Sequence, residues 1–474
     1  VAQTSEGQTV RVPDASGPGG LDGYFKITER GSTMRTEILA GLTTFLTMAY
    51  ILFVNPAILG FAATPALRPL GLPFAQVLTV TALAAGVMTI LMGVIGKYPF
   101  AIAAGLGLNA FVAYGLVATN GLSFPQAMGV IVAEGLLITL FVLTGVREMV
   151  LNAIPMDLKR SIGIGIGLFI ALIGLANAGV VIAGPNPPIL AMTPKFQTWS
   201  LALFVFGLLL TSALVARRVR GALLIGIVAT TVAATILNEV KHLGVITDGS
   251  AAWPHKIWAA PDFALVGNFS FSFISALGFW SALAVVIAVM LSDFFDTVGT
   301  VIGIGGEAKM LDSEGRLPGM KRVLLVDSLA AVGGGAVSAS SNTTFIESAS
   351  GVSDGGRTGM TSVVVGVLFL IAMFFSPIAG VVPSVATAPI LVIVGYFMMT
   401  LVKDIDWSDP GMGIPALLTI AMMPFTYSIT NGVGAGFVSY TVIAVLRGKW
   451  RDVHPLMYIV SAIFVWYFVH GIIG

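Results

Sequence analysis

Met290-Leu-Ser-Asp-Phe-Phe-Asp-Thr-Val-Gly-Thr300 lies inside an apolar run, residues 277–304, long enough to cross a bilayer. The run carries two carboxylates, Asp293 and Asp296, with no basic residue nearby in sequence. An uncompensated acid near a bilayer midplane costs about 2.5–3.5 kcal/mol on insertion scales, so function is the default expectation for it. The i, i+3 spacing puts both acids on one helical face. Such a pair faces a polar cavity, binds something or carries a proton. The plainer alternative is that both accept hydrogen bonds from neighbouring helices and only hold the bundle together.

The rest of the chain suits that setting. Of 474 residues, 56% are hydrophobic and 10% charged, and the mean hydropathy is +0.96. Soluble domains are typically about 25% charged. Repeated apolar runs of helical length indicate an all-α polytopic membrane protein rather than a β-barrel of short alternating segments. A net charge of +1 gives no general attraction to nucleic acid. Cysteine is absent, which excludes disulfide and thiol chemistry. The 56 glycines suit closely packed and broken membrane helices. Residues 1–35 form a polar tail, expected in the cytoplasm, without an apolar signal region. The first span is therefore expected to act as its own insertion signal.

Ordinary spans are predicted at 36–58, 75–96, 124–146, 156–178, 199–216, 222–240, 277–304, 323–337, 361–375, 384–402, 413–429 and 432–446. Two regions read differently. Residues 98–114 place Pro99, Gly105 and Gly107 early, which predicts an extended entry and a short helix beginning near Gly107-Leu-Asn109. Residues 338–351 are too short and too polar to cross as a helix. Asn55-Pro56 is expected to bend the end of the first span. A final apolar stretch, 456–473, is either a further span or a surface helix. Basic residues favour the loops after even spans (Lys97, Arg147, Arg217, Arg218, Arg220, Lys321, Arg322, Lys403), which puts the N-terminus inside.

The two halves match in plan, each with two ordinary spans, a broken one and further helices. Ala153-Ile-Pro155 in the first answers Val381-Val-Pro383 in the second. Seven spans per half require the halves to be inverted, and paired broken helices then point to a substrate site between them at the midplane. Asn109, the Asp293/Asp296 face and Glu347 converge under that plan. Two carboxylates beside one cavity repel anions and suit a ligand rich in N–H donors. Phe111, Phe294 and Phe345 are candidates to cover the face of a flat heterocycle, although plain packing explains each as well. His242, His255, His454 and His470 fall in loops or near termini, so a proton relay would have to use carboxylates. Asp327 is read as structural, within reach of Arg322 for a pair near the interface, and Glu134 has no assigned role. The runs Gly303-Ile-Gly-Gly306 and Gly333-Gly-Gly335 lack the lysine and strand context of a phosphate loop. No nucleophile–base pair or metal-ligand cluster is legible, so no enzyme, cofactor or metal is expected.

At these residues the chain resembles the nucleobase–ascorbate (NCS2) transporters, specifically their AzgA-like purine permease branch. The likeness covers roughly residues 21–450 and is carried by ERGSTMRTEILAGLTTFLTMAYILFVNP, GLGLNAFVAY, SDFFDTVGTVIGIGGEA and SSNTTFIESASGVSDGGRTG. It implies fourteen spans in two inverted seven-span repeats, with spans 3 and 10 broken into a short strand and a half helix. Residues 36–146 and 273–376 would form a core domain, 147–272 and 377–447 a gate domain that is often the dimer surface, and 448–474 a C-terminal tail. It implies proton-coupled import of adenine, guanine or hypoxanthine by alternating access between spans 1, 3, 8 and 10. Asn109, Asp293 and Glu347 would bind the base, with Phe294 and Phe345 beside it, and Asp296 together with Asp293 would serve proton coupling. The branch for xanthine and uric acid carries a Gln-Asn pair where this chain reads Ser341-Asn-Thr-Thr-Phe-Ile-Glu347, which argues against those substrates. The rival readings are a channel, or a carrier of anions or of other nucleobases such as uracil or xanthine, on the same fold.

Overall fold

Lipid offers no partner to backbone polar groups, so an apolar run must satisfy its own N–H and C=O groups as a helix. The computed structural model describes residues 20–145, 153–184, 190–194, 197–241, 250–254, 256–312 and 317–473. Almost every predicted span is helical there. The first is interrupted, α1 (Met34–Met48) being followed by α2 (Ile51–Leu59). The break falls at Ala49-Tyr50, upstream of Asn55-Pro56, and Pro56 itself lies inside the second helix. Next come α3 (Phe74–Leu91) and, beyond the first broken region, α5 (Phe124–Thr144), α6 (Met156–Asn177), α7 (Trp199–Ala216) and α8 (Ala222–Lys241). The second half contains α9 (Phe279–Glu307), α10 (Met320–Ala336), α12 (Gly359–Ala372), α13 (Ser384–Met399), α14 (Pro410–Thr426) and α15 (Ile429–Leu446). Ten helices among the described residues are long and apolar enough to cross a membrane, and three shorter apolar ones accompany them. The protein is a multi-pass helical membrane protein.

The broken regions determine the centre. In the first, β1 (Ile102–Ala104) leads into α4 (Leu106–Ala110), which continues in wider π-helical turns to Thr119. A two-stranded ribbon, β2 (Val181–Ala183) with β3 (Leu190–Met192), lies in the connection after α6. In the second broken region, β4 (Asn342–Thr344) leads into α11 (Ser348–Ser353). β1 and β4 pair antiparallel, with Ala103 opposite Thr343. The ribbon is extended by Gly105 N–H donating to the Ser341 carbonyl at 2.8 Å and Phe345 N–H to that of Ala101 at 2.9 Å.

Two strands leave two open edges, which an apolar interior does not tolerate. On the β1 side, Thr89 of α3 accepts from Ile102 N–H and donates to the Ile102 carbonyl, both at 2.9 Å. On the β4 side, Asp327 of α10 accepts from Thr344 N–H at 2.9 Å and from the Thr344 and Thr297 hydroxyls at 2.7 Å each. Asp327 therefore does not pair with Arg322 near the interface: it is turned inward, 3% exposed, to satisfy a strand.

Helices α3, α10, α9 and α2 pack against this ribbon, with α5 against α10 and α12 against α3, while α6 packs most closely on α13 and α14. Pro155 and Pro383 precede the first turns of α6 and α13, where a missing N–H costs nothing. Those two helices touch backbone to backbone; a Cβ on Gly167 would stand 2.9 Å from the Gly395 carbonyl oxygen. Glu37 of α1, buried, accepts from the backbone N–H groups of Arg357, Thr358 and Thr361 and caps the start of α12. The last apolar stretch is a helix, α16 (Pro455–Ile473), lying against α9 and α15.

Candidate functional site

A cavity opens where the half helices meet α9 on one side and α6 with α13 on the other. Counted with the open space at its mouth it holds about 690 Å³. Tyr50, where the helix of the first span is interrupted, lines it. Its hydroxyl donates to Glu347 Oε1 at 2.6 Å. Glu347 stands at the residue before α11, half-buried, so its carboxylate is held at the cavity by a tyrosine rather than by a cation. Asp296 enters from α9 with Ser292 and Thr300, one turn before and after it. Phe345 supplies an aromatic wall, its ring 6.5 Å from that of Tyr50. The opposite wall is apolar: Ile166 from α6, and Val394, Phe397 and Met398 from α13.

Polar groups on one wall and apolar groups on the other suit a flat, mostly uncharged ring with N–H donors along one edge. Two carboxylates at the polar wall disfavour an anion.

The structure divides the residues expected from sequence into two layers. Asp296, Glu347 and Phe345 line the cavity; Asn109, Asp293 and Phe294 do not. The reason for Asp293 is helical geometry: three residues advance about 300°, so the i, i+3 neighbour is rotated about 60° from Asp296. That turn is enough to aim Asp293 at α5 and α10. It is fully buried, and neither of its oxygens has a hydrogen-bond partner among the described residues. Thr343 lies beside it, but that hydroxyl is 2.7 Å from the hydroxyl of Thr297. Asn109 is also fully buried, its amide nitrogen 3.4 Å from the Ala104 carbonyl and its amide oxygen unpartnered. Phe294 packs edge-on against Phe295 and is 5% exposed. Phe111, 1% exposed, is likewise interior packing.

No histidine lines the cavity among the described residues. His242 and His255 lie outside those residues, as does the side chain of His470, and His454 sits just before α16. Glu134 of α5, without a role from sequence, is buried behind the ribbon and accepts from the Ser341 hydroxyl at 2.7 Å. Sequence reasoning also missed Tyr50, Ser292, Thr300, Thr343 and Thr344. Tyr50 stands within the quoted motif just ahead of Asn55-Pro56, the one signal that would have singled it out.

A family model described as "Permease family" (Xan_ur_permease) matches residues 35–446. The adenine permease AdeP of Escherichia coli is 39% identical over 450 residues, 95% of this chain and 96% of the relative. The guanine/hypoxanthine permease PbuG of Bacillus subtilis is 39% identical over 449 residues, 94% and 99% of the two chains. Among solved structures, the transmembrane domain of a cyanobacterial bicarbonate transporter, BicA, superposes with a TM-score of 0.55 at 14% identity over 90% of this chain and 97% of that one. SLC26A9 gives a TM-score of 0.61 at 12% identity over 87% and 65%. At such identities these two show the fold alone. The chain belongs to the permease family of nucleobase (NCS2) transporters.

Proposed function

From that membership we propose that this chain is a proton-coupled importer of purine bases (adenine, guanine or hypoxanthine) of the AzgA-like branch, working by alternating access. The observation that carries the reading is the cavity itself. A carboxylate held by a tyrosine, a second carboxylate and a phenylalanine face an apolar wall at the crossing of two broken helices. Glu347 and Asp296 accept N–H groups of the purine, and Phe345 covers its ring. Asn109, Asp293 and Phe294 act from the layer behind, holding the wall in shape. Fourteen spans in two inverted repeats, a core domain carrying the half helices, a gate domain containing α6 and α13, a cytoplasmic N-terminus and a homodimer formed through the gates complete the proposal. The acids of the polar wall argue against an anion such as the bicarbonate named for one structural neighbour.

Proton coupling falls on the Asp296/Asp293 pair. Protonation neutralises the pair and lowers the cost of carrying it past the apolar gate wall. Two substitutions test the reading in proteoliposomes. Glu347→Ala removes a charge-assisted acceptor worth about 1.5–3 kcal/mol, so purine affinity should fall roughly 10- to 150-fold. Asp296→Asn, which keeps the size and one acceptor oxygen but fixes a neutral state, should weaken purine binding less than Glu347→Ala does, while accumulation driven by a pH gradient collapses. Unchanged affinity in Glu347→Ala would remove the cavity from the account. Retained accumulation in Asp296→Asn would move the proton to another group.

A further inference from the structure

Behind the ribbon, away from the cavity, lies a second group of polar side chains that substrate recognition does not use. Glu134 and Asp293 are both 0% exposed. Glu134 Oε2 and both oxygens of Asp293 have no hydrogen-bond partner among the described residues. The Ser340 hydroxyl and both ends of the Asn342 amide are unpartnered as well. Among the described residues, the charged groups acting on this pair from the packed elements are Asp293 and Asp296 of α9, Asp327 of α10 and Glu134 itself, all acidic. Ionised carboxylates without a cation are strongly disfavoured in an apolar interior, so the arrangement is tolerable only when protons are held there.

The helix that carries Glu134 is packed closely against its neighbour. Helices α5 and α10 touch through Gly135 and Gly335; a Cβ on Gly135 would stand 2.6 Å from Val332 N, and one on Gly335 2.9 Å from Val132 N. The one described contact of Glu134 is the Ser341 hydroxyl at 2.7 Å. The carbonyl of Ser341 in turn accepts Gly105 N–H at 2.8 Å, and Gly105 lines the cavity. A buried carboxylate is thus two hydrogen bonds from the cavity wall.

We propose that Glu134 is a proton-carrying residue of this transporter, set outside the substrate cavity and coupled to it through Ser341 and the crossed strands. A proton taken from the medium on one side binds a Glu134 oxygen and leaves to water on the other side; no other bond is made or broken. Protonation removes the charge that Glu134 shares with Asp293 and changes how firmly it holds Ser341, and hence Gly105. Glu134, Asp293 and Asp296 form a series from α5 to the cavity, in which each member is needed for the proton and only the last touches substrate.

The inference rests on the proton-coupled reading, and the test separates the two. Wild type, Glu134→Gln and Ser341→Ala are reconstituted in proteoliposomes with a pH-sensitive dye inside. Adenine and hypoxanthine are the probes. Counterflow at equal pH, accumulation under an inward proton gradient, and purine-dependent proton entry are recorded. Glu134→Gln should retain counterflow, lose accumulation above the equilibrium distribution and lose proton entry. Ser341→Ala, a milder change, should retain counterflow and shift the pH dependence of accumulation. Failure of the wild type to accumulate would sink proton coupling itself. With a wild type that accumulates, proton-driven accumulation in Glu134→Gln overturns the proposal. So does loss of counterflow together with accumulation in a variant that remains folded, since that marks a structural role. Should Glu134→Gln not fold, an unchanged pH profile in Ser341→Ala overturns the proposal on its own.

Discussion

The two broken spans solve one backbone problem with opposite side chains. β1 reads Ile102-Ala-Ala104 and β4 reads Asn342-Thr-Thr344, yet each is a three-residue strand running into a half helix, and each is fully buried. β1 brings backbone and little else; its outer edge is satisfied by a neutral hydroxyl, Thr89. β4 brings hydroxyls and an amide, and its outer edge is satisfied by a carboxylate, Asp327. The polar chemistry of the molecule is gathered on one strand and the acids around it, while the apolar strand serves as the straight edge against which they are registered. Backbone symmetry between halves therefore does not require chemical symmetry.

Substitutions at the two edges break or sharpen that comparison. Asp327→Ala should have the largest effect, because it orphans the Thr344 N–H and two hydroxyls in a dry interior. At about 1–3 kcal/mol for each donor left unmade, the loss should exceed about 3 kcal/mol and show as a large fall in melting temperature in detergent. Thr89→Val strands the N–H and C=O of Ile102 alone. With two groups stranded rather than three it should cost about 2–6 kcal/mol, less than Asp327→Ala, and leave purine affinity in place, since β1 brings no side chain to the base. Thr343→Val removes one neutral hydroxyl facing Thr297 and should cost about 0.5–1.5 kcal/mol. A Thr89→Val loss equal to that of Asp327→Ala would mean that the two edges are equivalent after all.

Much of this architecture was legible because bilayer-length apolar runs have few folded outcomes. Pro99, Gly105 and Gly107 announced the first break, and the polarity of residues 338–351 announced the second. Strand pairing was not legible, since three residues carry too little pattern to reveal a partner more than 200 positions away. The site was read at the level of residues but not of layers. Period 3.6 assigns Asp293 and Asp296 to one broad face, whereas the boundary between cavity and interior falls within that face. Asp327 was read as structural but with the wrong partner, because a nearby arginine in sequence suggested an ion pair, while its real partners are an amide and two hydroxyls that only the fold brings to it. Glu134 gave no signal of its own, because its partner Ser341 lies 207 residues away.

The central claim is that a purine base occupies the cavity at the crossed strands and is carried across rather than admitted through an open pore. Counterflow tests it most directly. Proteoliposomes loaded with unlabelled hypoxanthine at equal pH on both sides should take up labelled hypoxanthine or adenine faster, and to a transient overshoot, than empty vesicles do. Glu347→Ala, which removes the acceptor held by Tyr50, should abolish that overshoot at purine concentrations that saturate the wild type. Equal uptake by loaded and empty vesicles, or an overshoot untouched by Glu347→Ala, would contradict the account.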